Sequence, residues 1–281
     1  MRVEKWRKTH SIRVDRGVNM VNKDIKVLLK FGERKYIQDL INGDFYFSNA
    51  KKFRDIEVGQ KNKGQGDILE GGSYVYAVDG QIYNNNDTAL LKTIENQDIL
   101  IHCAPANNIP VYCMFACDYD HICRIDENHI RVILSDDEKE DMRKHFAKAD
   151  AVVVFANPQC LMNDFYKSLG ETVKSDLVHY FQVSGIKEDG KVPHLDLSYY
   201  EYLTQDVPPE EIDGAKKYVF LEEYVYRSLF CKDMFFKNQQ EYRIVLSDNR
   251  IEEPQVFHID LSVKPKIFDL DMILNGDILE I

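Results

Sequence analysis

The stretch Phe235-Phe236-Lys237-Asn238-Gln239-Gln240-Glu241-Tyr242-Arg243-Ile244-Val245-Leu246 decides how this chain is read. Its second half has the apolar pattern of a strand, and its middle sets a Gln-x-Glu pair at the mouth of that strand. Side chains two residues apart on a strand share a face, so the Gln239 amide and the Glu241 carboxylate are expected to point the same way. A carboxylate fixed there can grip a ribose hydroxyl and steady positive charge developing at an anomeric carbon. That is the chemistry of ADP-ribose transfer from NAD. The bland alternative pairs Glu241 with Arg243 or a lysine on a sheet edge and leaves the neighbouring aromatics as core.

Upstream of this stretch the pattern alternates strands and helices. Ile25 to Phe31 is an apolar strand, followed by a short amphipathic helix over Glu33 to Ile41 that Asn42-Gly43 stops. Asp44 to Ser48 is a second strand, and Asp55 to Gly72 is expected to be a long polar loop. Ser73 to Tyr83 predicts a hairpin turning at Asp79-Gly80. Val111 to Ala116 and Ala151 to Ala156 are buried strand candidates. Between them, Ser135-Asp136-Asp137-Glu138 is a capping box opening a helix to about Lys148. Asn157-Pro158 caps another helix that Gly170 closes. Leu177 to Ser184 continues as strand, Tyr218 to Phe230 fits helix or strand, and Val256 to Leu261 is expected to pair near Glu241 to Leu246. The expected fold class is α+β, with mixed or antiparallel central sheets and flanking helices. It fills 23–281 as a single domain with a polar insertion near 189–213.

Composition limits what such a domain can do. Hydrophobic residues at 44% of 281 supply a real core, and 16 Tyr and 15 Phe against one Trp suit a strand-rich fold with an aromatic-lined cleft. A net charge of −11 argues against nucleic-acid binding by the surface as a whole. The N-terminal arm, 1–22, is different. It carries Arg2, Lys5, Arg7, Lys8, Arg13 and Arg16 against Glu4 and Asp15, and reads either as a contact for phosphate or an acidic partner or as a solvated terminus. No apolar run approaches the ~20 residues of a membrane helix, and no signal-peptide core opens the chain, so a cytoplasmic protein without a membrane partner is expected. Six irregularly spaced cysteines fit reduced thiols there.

Two further constellations carry polar chemistry. In Gly64-Gln65-Gly66-Asp67-Ile68-Leu69-Glu70-Gly71-Gly72 the glycines allow close backbone approach, and Asp67 with Glu70 could accept ribose hydroxyls or a divalent cation. No Gly-Lys-Ser/Thr follows, so it is not a P-loop, and a flexible turn is the simpler reading. The cluster His102, Cys103, Cys113, Cys117, His121 and Cys123 has one C-x3-C pair but no second, which favours buried thiols over a zinc site. Asp55, Asp67, Glu70 and Glu241 can also be arranged as a metal-dependent nuclease, though the Glu-x-Arg of the strand lacks the lysine such sites use. A non-catalytic sensor that binds a nucleotide or a phage protein is the other reading left open.

Three stretches carry a resemblance: Leu28-Leu29-Lys30-Phe31-Gly32, then Tyr36 through Asn49, then Phe53-Arg54-Asp55. With Lys232 through Ile244 they resemble a family of uncharacterised prokaryotic proteins found in bacterial conflict and phage-defence settings. Their layout is similar to the ADP-ribosyltransferase fold: a strand, a helix, a strand with Ser or Tyr, and a late catalytic Glu. The resemblance covers about a fifth of the chain. It implies a toxin or anti-phage effector that moves ADP-ribose from NAD to a nucleic-acid or protein acceptor, with an antitoxin or defence-system partner. It also implies roles: Glu241 on the nicotinamide ribose, Gln239 orienting the acceptor, Lys30 or Arg34 on the pyrophosphate, Ser48 bracing Glu241 or the ribose, and Tyr46 stacking on nicotinamide. Two positions depart from the transferase pattern. Lys30 and Arg34 stand where those classes place His or Arg, and Phe47-Ser48-Asn49 stands where the arginine class has Ser-Thr-Ser.

Overall fold

The structure, a computed structural model, describes residues 25–281 except 61–65, 68, 84–88, 103, 182–196, 208–209, 213–214 and 218–221. The basic arm, Gly64, Cys103 and much of the 189–213 insertion therefore lie outside the described residues.

The fold is α+β, built on an eight-stranded antiparallel sheet. Its strands are β1 (Val27–Gly32), β2 (Asp44–Asn49), β3 (Pro110–Cys117), β4 (Ala151–Phe155), β5 (Val173–Leu177), β6 (Glu241–Leu246), β7 (Gln255–His258) and β8 (Lys266–Asp269). The order is β7-β2-β3-β1-β4-β8, and β6 joins β3 to β5. Ala151-Val152-Val153-Val154-Phe155 is an unbroken apolar run because both faces of β4 are covered. Ala151, Val153 and Phe155 pack with Leu161, Met162 and Phe165 of the helix Pro158–Leu169 on one face. Val152 and Val154 pack with Met142, Ile273 and Leu274 on the other. Burying each such side chain stabilises by roughly 1.5–3 kcal/mol, which makes β4 the centre of the core.

The helix starts follow their local chemistry. Asn157 accepts the Cys160 N–H at 3.0 Å, with Pro158 at the first helical position. Ser135 and Glu138 form the expected reciprocal cap on the helix Asp136–His145, and the Ser135 N–H donates to Glu138 Oε2 at 2.7 Å. Ser135→Ala should cost about 1 kcal/mol, read as a lower urea midpoint at unchanged slope; an unmoved midpoint would show the cap to be idle. This helix stops at His145, short of Lys148.

Four expectations are corrected. The expected loop Asp55 to Gly72 is not loop at its start: the helix Ala50–Gln60 runs into it, because Asn49 Oδ1 accepts the Lys52 N–H at 2.9 Å and the next residues hold no breaker before Gly59. No turn occurs at Asp79-Gly80. The strand Gly72–Tyr83 runs straight through and pairs with Leu90–His102, setting Asp79 opposite Glu95. Pairing that keeps one register from Gly72 to Ile82 outweighs one turn-prone dipeptide. Leu177 to Ser184 is not one strand either, since it breaks at Val178, whose N–H donates to the Glu241 carbonyl, and His179–Phe181 then pairs in parallel with Cys231–Asp233. Finally, β7 pairs with β2 rather than β6, whose two edges are already taken by β3 and β5. Glu222–Phe230, left open between helix and strand, is a 3-10 run. Within the insertion, Leu197–Thr204 is a helix and Glu210–Ile212 pairs with Ala215–Lys217. Among the described residues no helix is long and apolar enough to cross a membrane.

One irregularity of the sheet positions everything that follows. Val111 pairs with both β6 and β2, and Phe115 pairs with both β6 and β1. Strands β1 and β2 therefore lie on the same side of β3, one at each end. Between them, among the described residues, the edge of Tyr112-Cys113-Met114 pairs with no strand, so the sheet forks there.

Candidate functional site

A cavity of about 230 Å³ opens at this fork. Leu29, Lys30 and Phe31 line it from β1, Tyr46 and Ser48 from β2, and Val111 to Phe115 from β3. Glu241 and Arg243 of β6 line it too, with Asp67, Glu70, Lys232 and Gln239, and the helix Asp136–His145 adds Glu138, Asp141 and Met142. The open edge of β3 is met by Lys30, whose Nζ donates to the Cys113 carbonyl at 2.7 Å and lies 4.6 Å from the Tyr112 ring centre. Among the described residues Lys30 makes no ion pair. Burial lowers its pKa, against the pull of Cys113 and Glu241.

Glu241 and Gln239 do face one way, but not through strand periodicity. Gln239 ends the 3-10 run Met234–Gln239, and Gln240 sits at φ 41°, the one non-glycine residue with positive φ among those described. That kink brings both side chains to Lys232, whose Nζ donates to Gln239 Oε1 and to Glu241 Oε1, each at 2.9 Å. Lys232 reaches this point through the parallel ladder that sets it opposite Tyr180, and the Tyr180 hydroxyl oxygen accepts the Glu241 N–H at 2.9 Å.

The second oxygen of Glu241 accepts from Arg243 Nε at 2.7 Å. Arg243 is itself fully buried, and its guanidinium grips both oxygens of Glu70 and the Leu229 carbonyl. The chain Glu70–Arg243–Glu241–Lys232–Gln239 is thus one continuous buried polar network. Burial by itself would raise the pKa of Glu241. The charges and hydrogen bonds of Arg243 and Lys232 outweigh that and hold the carboxyl at about 2. Burial likewise opposes the charge on Arg243, and Glu241 and Glu70 overcome it, raising its pKa. So Glu241 pairs with both Arg243 and a lysine, as the bland reading has it, but on an interior strand and at a cavity wall.

Asp67 and Glu70 reach the site because two glycines allow it. A Cβ on Gly66 would lie 2.3 Å from the Glu57 backbone nitrogen, so only glycine lets the chain pass the helix Ala50–Gln60 so closely. Gly71 has φ +65° with Ala50, Ala106 and Leu229 packed around it, which turns the chain into the following strand. The glycine-rich stretch is therefore an ordered approach at Gly66 and at Gly71, not a free turn.

Of the residues singled out from sequence, Glu241, Gln239, Ser48, Lys30, Tyr46, Asp67 and Glu70 all border this cavity. Tyr46 is 59% exposed and stands at its rim. Arg34 does not belong to it: the helix after Gly32 turns it outward to Asp269, with a 2.6 Å ion pair. Asp55, a member of the nuclease arrangement, does not line the cavity either. Lys232 and Tyr180 were given no role by sequence reasoning. An arginine inside the run Tyr242-Arg243-Ile244-Val245 was the available signal for a buried ion pair.

Cys103 lies outside the described residues, and the other members of the Cys/His cluster do not gather. Among the described residues no three His, Cys, Asp or Glu side chains come together as a metal-binding group. Cys113 and Cys117 lie along β3, and burial pushes the Cys113 thiol up to about 11. His121 instead bridges Asp118 and Glu138 at 2.7 and 3.0 Å. The Glu138 hydrogen bond raises its pKa against burial, with help from Asp118.

No family model, curated protein or solved structure matches this chain.

Proposed function

We propose that the fork cavity is a site of ADP-ribose transfer, with NAD as the donor. The supporting observation is a carboxylate held ionised at the wall of a cavity otherwise rich in aromatic and aliphatic surface. Each oxygen of Glu241 accepts one bond from Lys232 or Arg243 and keeps a second lone pair, and the side chain retains 13% exposure towards solvent. Such an anion, fixed before substrate arrives, is suited to accept a ribose hydroxyl and to stabilise positive charge growing at the adjacent anomeric carbon. Phe31, Tyr112, Phe115 and Met142 offer the apolar wall a nicotinamide ring requires, with Tyr46 at the rim to cover it. Lys30 brings a cation with no carboxylate of its own to a pyrophosphate. Arg34, paired to Asp269 outside the cavity, takes no part in this reading.

The amide of Gln239 is fixed at the cavity wall by the bond its oxygen accepts from Lys232, a placement suited to orienting an acceptor. The acceptor is a nucleic acid or a protein, and the setting is a toxin or anti-phage effector with its own antitoxin or defence partner. With labelled NAD and separate pools of DNA, RNA and protein, the wild type should label one pool. Glu241→Gln should lose about 10²–10³-fold in rate. Its melting curve must be recorded beside the assay, because the same substitution removes the anion from Lys232 and Arg243. No label in any pool and no nicotinamide released would overturn the proposal in favour of a nuclease or a ligand sensor.

A further inference from the structure

Asp67 is a group that the reading above leaves without work. It is 3% exposed and borders the same cavity as Glu241. Its Oδ1 accepts the Leu69 N–H at 2.9 Å, while its Oδ2 has no hydrogen-bond partner. An orphaned buried oxygen costs stability and is rare in folded proteins. The charged groups that face it are Glu70 from its own turn and, from two other elements, Lys232 of the short strand and Arg243 of β6. Arg54, from the helix Ala50–Gln60, is tied to the Glu70 carbonyl and to Asn107. Neither cation bonds Asp67, since Lys232 is committed to Gln239 and Glu241, and Arg243 to Glu70 and Glu241. Asp67 is thus a carboxyl beside a charged network but outside it.

We infer that Asp67 is the general base of the transfer, taking the proton from the acceptor's N–H or O–H as that atom attacks. This rests on the transfer reading and adds the proton's destination. The acceptor's lone pair forms a bond to the anomeric carbon. The bond from that carbon to the nicotinamide nitrogen breaks, its electron pair returns to the ring, and neutral nicotinamide leaves. The acceptor's proton moves to Asp67 and from there to solvent. Atoms and charge balance without metal or oxidant. Burial first, and the Glu70 charge second, raise the Asp67 carboxyl to about 7 against the opposing pull of Lys232, the Leu69 N–H and Arg243. That value suits a base working near neutral pH. The acceptor class follows: a nucleobase, amide or hydroxyl that must give up a proton in order to bond.

The test measures transfer from labelled NAD between pH 5.5 and 8.5 for wild type and Asp67→Asn, with NAD affinity by calorimetry. Wild-type rate should rise through about pH 7 and level off. Asp67→Asn should be roughly 10²-fold slower and lose that limb while binding NAD as before. A merely structural Asp67 would change the rate but leave the limb in place, and a variant with the wild-type rate and limb would overturn the assignment alone. A wild type that labels no pool would overturn the transfer reading itself, and this assignment with it.

Discussion

Arg243→Ala should lower the unfolding free energy by about 3–5 kcal/mol, the largest loss expected from any single side chain of the site. Arg243 is 1% exposed and, among the described residues, is the only cation bonded to the Glu70 carboxylate, which is equally buried. Removing it leaves one carboxylate without a counter-charge and a second, Glu241, with Lys232 alone. The Leu229 carbonyl loses its donor as well. Glu70, at 1% exposure, and the Leu229 carbonyl, in a residue at 0%, cannot reach water in place of the lost partner, so their full desolvation cost appears. Arg243→Lys should recover only part of it, since an ammonium cannot bridge both Glu70 oxygens and reach Glu241 together. Chemical denaturation at pH 7 reads the effect. A loss under 1 kcal/mol for the alanine variant would mean that water fills the network and that its burial is only apparent.

Asp67→Asn should do the reverse and stabilise the protein at alkaline pH. The carboxyl titrates at about 7 in the folded protein against an ordinary 3.8. Folding therefore binds a proton more tightly, and the stability that Asp67 contributes is complete below about pH 3.8 and lost as pH rises through 7. Above that, a buried anion is carried at a cost of up to about 4 kcal/mol, from about three pKa units at 1.36 kcal/mol each. Asparagine has no such charge. The variant should unfold several degrees higher than wild type at pH 8.5 and close to it at pH 4.5, by calorimetric scans at both. Equal melting at both values would place the Asp67 pKa near its ordinary range. Glu241 runs the opposite way: held at about 2 against 4.5, it contributes stability above pH 4.5 that fades as pH falls through 2. A group that weakens the fold at neutral pH is most simply retained for chemistry.

Local chemistry was readable from the chain, and long-range geometry was not. The caps at Ser135 and Asn157 and the apolar run of β4 rest on residues a few positions apart, and the structure has each of them. The meeting of Gln239 with Glu241 was anticipated for the wrong reason: the kink at Gln240, not a strand period, turns them together. Arg34 was grouped with Lys30 by nearness in sequence, yet the turn after Gly32 sends it to Asp150 and Asp269, at the start of β4 and the end of β8. Lys232 went unassigned because its place depends on the Tyr180 ladder, a pairing between short segments with no local signal. The turn misplaced at Asp79-Gly80 has the same cause. A dipeptide preference of a fraction of a kcal/mol was set against a strand pairing that only the folded partner reveals.

The forked sheet also dictates when the pocket can exist during synthesis. Its floor, β3, must wait for β6, and the ion pair that locks the two sides joins residues 173 positions apart. At a translation rate of roughly 5–20 residues per second, the earlier half of the wall is made many seconds before its counter-charges leave the ribosome. A nascent chain halted before Lys232 has the lysine and tyrosine of the first two strands but neither Glu241 nor the arginine that anchors Glu70. It can hold no finished site. Late closure thus leaves every unfinished copy without a working pocket, whatever chemistry the finished one performs.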